Sequence, residues 1–299
     1  MNSCDDKIDV CIPTWNSSKT LELCLKSILR EVPVKDIRIV DNFSDDATLS
    51  IAKNFKAIIV QRKCGIGEAR QYLIEHVTTD YFAFVDSDAV LRRGWFESVM
   101  NKMKSNEKIG EVCGLWFSDN PQDRHFWEVC WKRIPPDHPM WSRGYLIDTL
   151  IKTEAIKGIQ IPKEMNNYED KFVRDYVISK GYHWAVAKDA FCDHLLGELS
   201  FWKTCIGRKY YGAGLREWKD ADTNASAKKL VLNAPIDLAK ASAISIKARD
   251  PIIIPFKLFS ELFTIRGYFG AGTGQLLKEI EKNSDYKRQY SKFKKSKRC

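Results

Sequence analysis

An α/β fold, with a mainly parallel sheet flanked by helices, is predicted by three features of the 299-residue sequence. Short apolar runs alternate with amphipathic segments through the first half, as successive βαβ units require. The run YFAFV at 81–85 is apolar on both faces, which suits a central parallel strand covered on each side. Acidic or polar residues gather where strands are predicted to end, at Asn16, Asp41, Asp86 and Asp88, and ligands of open α/β sheets bind at the carboxyl ends of strands.

The first strand is read over 8–13, followed by a helix whose Leu21, Cys24, Leu25 and Ile28 share one stripe. Strands are predicted over 36–41 and 57–60, with a helix of about 45–55 between them and another over 67–77 before YFAFVD. Beyond residue 93 the alternation loosens. It gives a helix over 95–104, a strand over 109–117, a Trp-rich stretch over 118–144, a strand near 145–151, a helix near 168–180 and a strand over 183–188.

Residues 251–275 are apolar but interrupted by Lys257, Glu261 and Arg266, and no uncharged run reaches the roughly 20 residues that a membrane-spanning helix needs. Leu258, Phe259, Leu262, Phe263, Ile265 and Phe269 share a stripe suited either to core packing or to a helix lying on a bilayer.

Composition narrows the function classes. With 44% hydrophobic residues a substantial core forms. Nine dispersed cysteines without a Cys-x-x-Cys pair argue against a zinc knuckle or a thioredoxin-like motif and fit a reducing compartment. The first 15 residues contain no apolar run of signal-peptide length, so a cytoplasmic location is expected. Residues 278–299 hold nine Lys or Arg against three acids, so most of the formal net charge of +9 sits there, suiting either a polyanionic surface or a solvated terminus.

Asp86 and Asp88, two residues apart at the end of a buried strand, would repel each other without a partner. A divalent cation resolves this, since Mg²⁺ takes few carboxylates together with waters and phosphate oxygens. A capping role for either aspartate is the other reading. The loops CIPTWN (11–16) and VDNFSDDAT (40–48) follow the first two strands, and RKCGIGEAR (62–70) offers backbone N–H groups and a guanidinium to a phosphate. A dinucleotide fingerprint is weak here, because position 70 is Arg where a third Gly is expected. A sugar-nucleotide pyrophosphorylase would carry a Gly-rich basic loop after the first strand, where PTWNSS stands.

The succession PTWN, VDNFSDDAT, GIGEAR, VDSD resembles the nucleotide-binding half of a family 2 glycosyltransferase with the GT-A fold. The later stretch from LIDT to CDHLLG is similar to that family's acceptor side, with an ED pair opening a helix, Arg174, Gly181, and a strand leading to a histidine. The match spans roughly residues 8–200.

That resemblance implies a GT-A nucleotide-sugar-binding and catalytic domain over 1–215, and a helical, amphipathic region with a basic tail over 216–299. Pro13, Thr14, Asn16, Gly65 and Ser87 would line the nucleotide pocket, Asp41 would face the base, and Arg70 would lie near the base or diphosphate. Asp88 would be the principal ligand of Mg²⁺ or Mn²⁺, with Asp86 on the ribose or a metal-bound water and His194 completing the metal shell. Asp170 would be the general base of an inverting transfer, and Glu169 an acceptor contact.

The expected donor is a UDP- or GDP-sugar, and the expected acceptor is a hydroxyl of a polysaccharide or lipid-linked glycan of the cell envelope, with peripheral association at the inner face of the membrane. A polyprenyl phosphate acceptor, already ionised, is the alternative. A basic nucleic-acid-binding protein is the reading from a different class, although no nucleic acid partner is expected. Trp116, Trp127, Trp131 and Trp141 would stack on sugars or fill a core, and Lys203, Arg208 and Lys209 would touch phosphate or form a solvated helix face.

Overall fold

The computed structural model describes residues 7–118, 145–163, 165 and 168–195, positions 205, 208, 209, 212, 213 and 216, and residues 227–249, 251 and 253–270. Trp127, Trp131, Trp141, Lys203 and the basic run 278–299 lie outside the described residues. The chain divides into two compact units, Met1–Asp119 with Ile134–Leu196, and Asn120–Arg133 with Gly197–Cys299.

The first unit is an α/β sandwich built on one eight-stranded sheet. In chain order it runs β1 (Ile8–Thr14), α1 (Leu21–Glu31), β2 (Val34–Asp41), α2 (Thr48–Asn54), β3 (Ile58–Gln61), α3 (Ile66–Glu75), β4 (Tyr81–Val85) and β5 (Ala89–Leu91). It continues with α4 (Trp95–Lys104), β6 (Ile109–Ser118), β7 (Asp148–Lys152), α5 (Thr153–Ile156), α6 (Glu169–Ser179) and β8 (His183–His194).

The sheet order is β3-β2-β1-β4-β7-β6-β8-β5. β1, β2, β3 and β4 are parallel neighbours, and β6 pairs parallel with β8. Phe82, Phe84 and Val85 of β4 and Val10, Cys11 and Ile12 of β1 are fully buried, because helices cover both faces of this central pair. α1 docks through Leu21, Cys24, Leu25 and Ile28, all buried, while its Glu22–Lys26 pair faces water.

The second half departs from a uniform parallel sheet. β7 runs antiparallel to both β4 and β6, and the three-residue β5 pairs antiparallel with the end of β8. β8 continues to His194 past the predicted end at 188, since β5 and β6 both supply ladder partners there: Ala89 and Ser118 each stand opposite His194. The loop leaving β4 and the terminus of β8 are thereby held side by side.

The second unit contains α7 (Ala227–Ala248), which lies in the region expected to be helical and carries Pro235 in its interior, and α8 (Ile253–Gly270), which packs on it. α8 buries Ile253, Phe256, Ser260, Gly267 and Tyr268. The predicted apolar stripe of α8 is therefore not its packed face, for Leu258, Leu262 and Phe269 are exposed. The reason is a close approach on another side: a Cβ on Gly267 would stand 2.1 Å from the Lys209 carbonyl oxygen, and one on Gly212 would stand 1.9 Å from that of Thr264. Lys209, a phosphate candidate from the sequence, is buried with its ammonium 5.5 Å from the Phe263 ring. No helix among the described residues is long and apolar enough to cross a membrane.

Candidate active site

Four strand ends, α3 with the residue before it, and the first turn of α6 carry the predicted residues. After β1 and β2 the chain forms two loops stitched together by short polar side chains. Asp41, fully buried, accepts hydrogen bonds from Thr14 Oγ1 (3.1 Å), the Ser44 amide (2.8 Å), Ser44 Oγ (2.5 Å) and Gln61 Nε2 (3.3 Å). Four donors on one carboxylate compensate its removal from water.

Asn16 adopts φ 48°, a left-handed conformation that Asn tolerates; its amide donates to Ser44 Oγ at 2.8 Å and its Oδ1 accepts from the Asp45 amide at 2.9 Å. Asp46 receives the Ser18 amide (3.1 Å) and the Thr48 amide (3.0 Å). Burial would raise its pKa, but the bonds from Thr48 and Ser18 prevail and bring it down to about 2. Ser17, Ser44, Asp46 and Thr48 were not singled out from the sequence, although a Ser/Asp/Thr-rich loop is the composition of such side-chain-to-backbone turns. Pro13 lies within β1 opposite Val40, and Gly65 precedes α3 in extended conformation.

At the exit of β4, the Asp86 carbonyl accepts from the Ala89 amide, closing a tight turn of 86–89. Ser87 Oγ lies 2.8 Å from Ser17 Oγ and so links this turn to the loop after β1. Asp88 Oδ1 is 3.2 Å from His194 Nε2, and the Leu195 amide donates to the Asp88 carbonyl at 2.7 Å. Residues 106 positions apart meet here because β5 and β8 pair in register. The Trp116 ring stands edge-on to His194 at 5.6 Å between centroids and edge-on to Tyr145 at 6.3 Å.

Asp148 lies fully buried in β7 next to the level of Asp86, accepting from Trp95 Nε1 at 3.0 Å. Burial pushes it up to about 7 against the bonds from Trp95 and Cys192. Gly114 makes the space, since a Cβ there would stand 2.1 Å from Asp148 Oδ2.

Arg70 is 2% exposed, and its guanidinium is taken up by two carboxylates: Nη2 donates to Asp86 Oδ1 at 2.9 Å, and Nη1 lies 3.2 Å from Glu169 Oε1. α6 begins after Tyr168, a bulky residue at φ 68°, and presents Glu169 and Asp170 in its first turn. Asp170 is largely buried, and its Oδ1 accepts from the Lys171 amide at 2.8 Å. Among the predicted residues, Thr14 thus meets Asp41, Asp88 meets His194, and Asp86 meets Arg70, which also reaches Glu169, while Ser87 bonds Ser17 and not another predicted residue.

Residues 9–154 match the profile of the family described as Glycosyl transferase family 2. Over this segment the chain is a member of that family. The family 2 segment also aligns with curated relatives, among them the glycosyltransferase GlyA of Streptococcus pneumoniae, 29% identical over 130 residues covering 41% of this chain and 18% of the relative. The chain covers 18 to 42% of the length of the curated relatives it matches. Among solved structures it shares its fold with the mannosyltransferase PcManGT from Pyrobaculum calidifontis, in complex with GDP-Man and Mn²⁺, at a TM-score of 0.62 and 15% identity over 90% of this chain and 88% of that one. TarS residues 1–349 of S. aureus, in complex with UDP-GlcNAc, superposes with a TM-score of 0.51 at 16% identity, covering 91% and 92% of the two chains. The expected GT-A arrangement is the fold of this chain.

Proposed function

We propose that the family 2 segment transfers a sugar from a UDP- or GDP-sugar, with inversion, to a hydroxyl of a polysaccharide or lipid-linked acceptor. The observation that carries this reading is the meeting of Asp88 and His194 at 3.2 Å, where a buried strand opens into the loops of the nucleotide half. One carboxylate and one imidazole suit a divalent cation such as Mg²⁺ or Mn²⁺. Among the described residues no cluster of three or more protein donors is present. The two protein groups alone leave most of an octahedral shell to water and to phosphate oxygens, as Mg²⁺ prefers. A cation held there would draw negative charge off the departing diphosphate. Metal and nucleotide should then bind together, each weakly without the other. The GDP-Man and Mn²⁺ complex of PcManGT is in keeping with this.

The chain's own groups divide the remaining work. The loops organised by Asp41 and Asn16 seat the nucleotide, and Asp170 takes the proton of the attacking hydroxyl, a contribution of about 10² to 10⁴ in rate. By the same reading the acceptor belongs to the cell envelope, with the protein at the inner face of the membrane.

Thermal melting tests the reading. UDP or GDP should raise Tm only with Mn²⁺ or Mg²⁺, and Asp88→Ala or His194→Ala should abolish the shift. Asp170→Asn should keep the shift and lose transfer; full transfer by that variant would move the acceptor to a polyprenyl phosphate. No shift across a nucleotide panel overturns the reading, and a salt-sensitive affinity for RNA or DNA that survives Asp88→Ala would replace it.

A further inference from the structure

We propose that Arg70 acts as a positioning residue, tying Asp86 on the donor side to the helix that presents Asp170, so that the base is placed through the Arg70–Glu169 pair. This rests on the role proposed for Asp170 and adds what holds it. Nη2 of Arg70 donates to Asp86 at the exit of β4, while Nη1 stands 3.2 Å from Glu169 in the first turn of α6, an ion pair at contact distance without hydrogen-bond geometry. The guanidinium also lies 5.5 Å from the centre of the Phe84 ring, below the site, and the side chain is 3% exposed. A group so enclosed orients its neighbours.

The backbone supports the same link. α3, which carries Arg70, is bonded along its length to the segment that leads into α6. The Gly67 amide donates to the Met165 carbonyl at 3.0 Å, Gln71 Nε2 donates to the Ile159 carbonyl at 3.1 Å, and the Ile161 amide donates to Gln71 Oε1 at 2.9 Å. Between that segment and α6 stands Tyr168 in its left-handed conformation, a strained geometry costing about 1–3 kcal/mol that persists only where surrounding contacts hold it. The Arg70–Glu169 pair is such a contact, one residue from Tyr168 and one from Asp170. Lysine cannot substitute, because a single ammonium does not present two nitrogens in a fixed fork.

Amide hydrogen exchange and nucleotide calorimetry on the full chain test this with Arg70→Lys, Glu169→Gln and the double variant. Protection of amides 168–173 should fall about tenfold in each single variant and no further in the double, because both remove one link, while α4 is unchanged. Calorimetry with UDP and GDP in Mn²⁺ should give Kd values for Glu169→Gln within about threefold of the parent, whereas kcat for nucleotide-sugar hydrolysis should fall about tenfold or more. Unchanged protection in both single variants overturns the proposal. Additive losses overturn it as well, since Glu169 would then act on the acceptor independently of Arg70. If exchange responds as expected but the parent binds no nucleotide, the transferase reading fails and the link stands.

Discussion

Glu111 stands inside β6 with neither carboxylate oxygen hydrogen-bonded, and burial pushes its pKa up to about 8, Arg174 pulling it down and Asp170 and Asp175 adding to the rise. An acid whose folded pKa lies above its ordinary value of 4.5 binds more protons when native than when unfolded. Stability is therefore lost as pH rises from about 4.5 to about 8, and is flat beyond, with a total cost of several kcal/mol at about 1.4 kcal/mol per pKa unit. Glu111→Gln should raise Tm at pH 8, by about 2–4 °C for each kcal/mol recovered, and leave it nearly unchanged at pH 4.5. Parallel melting curves across that range would contradict the assignment. Nothing around IGEVCGLWF marks this glutamate as other than one residue of a strand. Asp88 and His194 were legible because their neighbours follow a chain-order pattern, whereas Arg70 with Glu169 joins residues about a hundred positions apart through a contact that no local pattern encodes.

Elements whose periodicity is long emerged from the sequence within a few residues: β1, α1, β2, α3, β4, α4, β6 and α6. The three-residue β5 and the direction of β7 did not, since an apolar run has the same composition whether its neighbour is parallel or antiparallel. The extension of β8 to His194 depends on β5, so the shorter predicted strand hid the reason why the histidine reaches Asp88. Packing between elements can also reverse a local preference, and Gly67 in the first turn of α3 shows it. Helix propensity alone favours Ala over Gly by about 1 kcal/mol. A Cβ at this position would stand 2.3 Å from the Met165 carbonyl oxygen, a backbone atom that also accepts the Gly67 amide bond. The overlap should win: Gly67→Ala is expected to lower stability by about 1–3 kcal/mol in denaturant melts, the range for overpacked sites. A gain in stability would show that α3 and the 159–165 segment can separate without cost.

Among the described residues, apolar exposure is concentrated in the second unit, where α7 leaves Leu232, Ile236 and Ile246 exposed and α8 leaves Leu258, Leu262 and Phe269 exposed. Within 227–248 there are four lysines (228, 229, 240 and 247) and one acid, Asp237, and the run 278–299 adds a further cationic excess. Exposed apolar side chains in a stretch of sequence with this charge suit a helix that lies along an anionic membrane, where each Lys or Arg contributes about 1 kcal/mol. Vesicles of mixed phosphatidylcholine and phosphatidylglycerol should therefore sediment the protein at low salt, and affinity should fall as salt rises, because the charge term is screened over about 10 Å at 0.1 M. Leu232→Gln with Ile236→Gln should weaken binding without moving the nucleotide-dependent melting shift, for these residues belong to the other unit. Removing 278–299 separates the two contributions. Binding that survives the truncation rests on the helices and rules out a role for the tail, whereas binding that is lost with the tail and unaffected by the glutamines rules out the helical face.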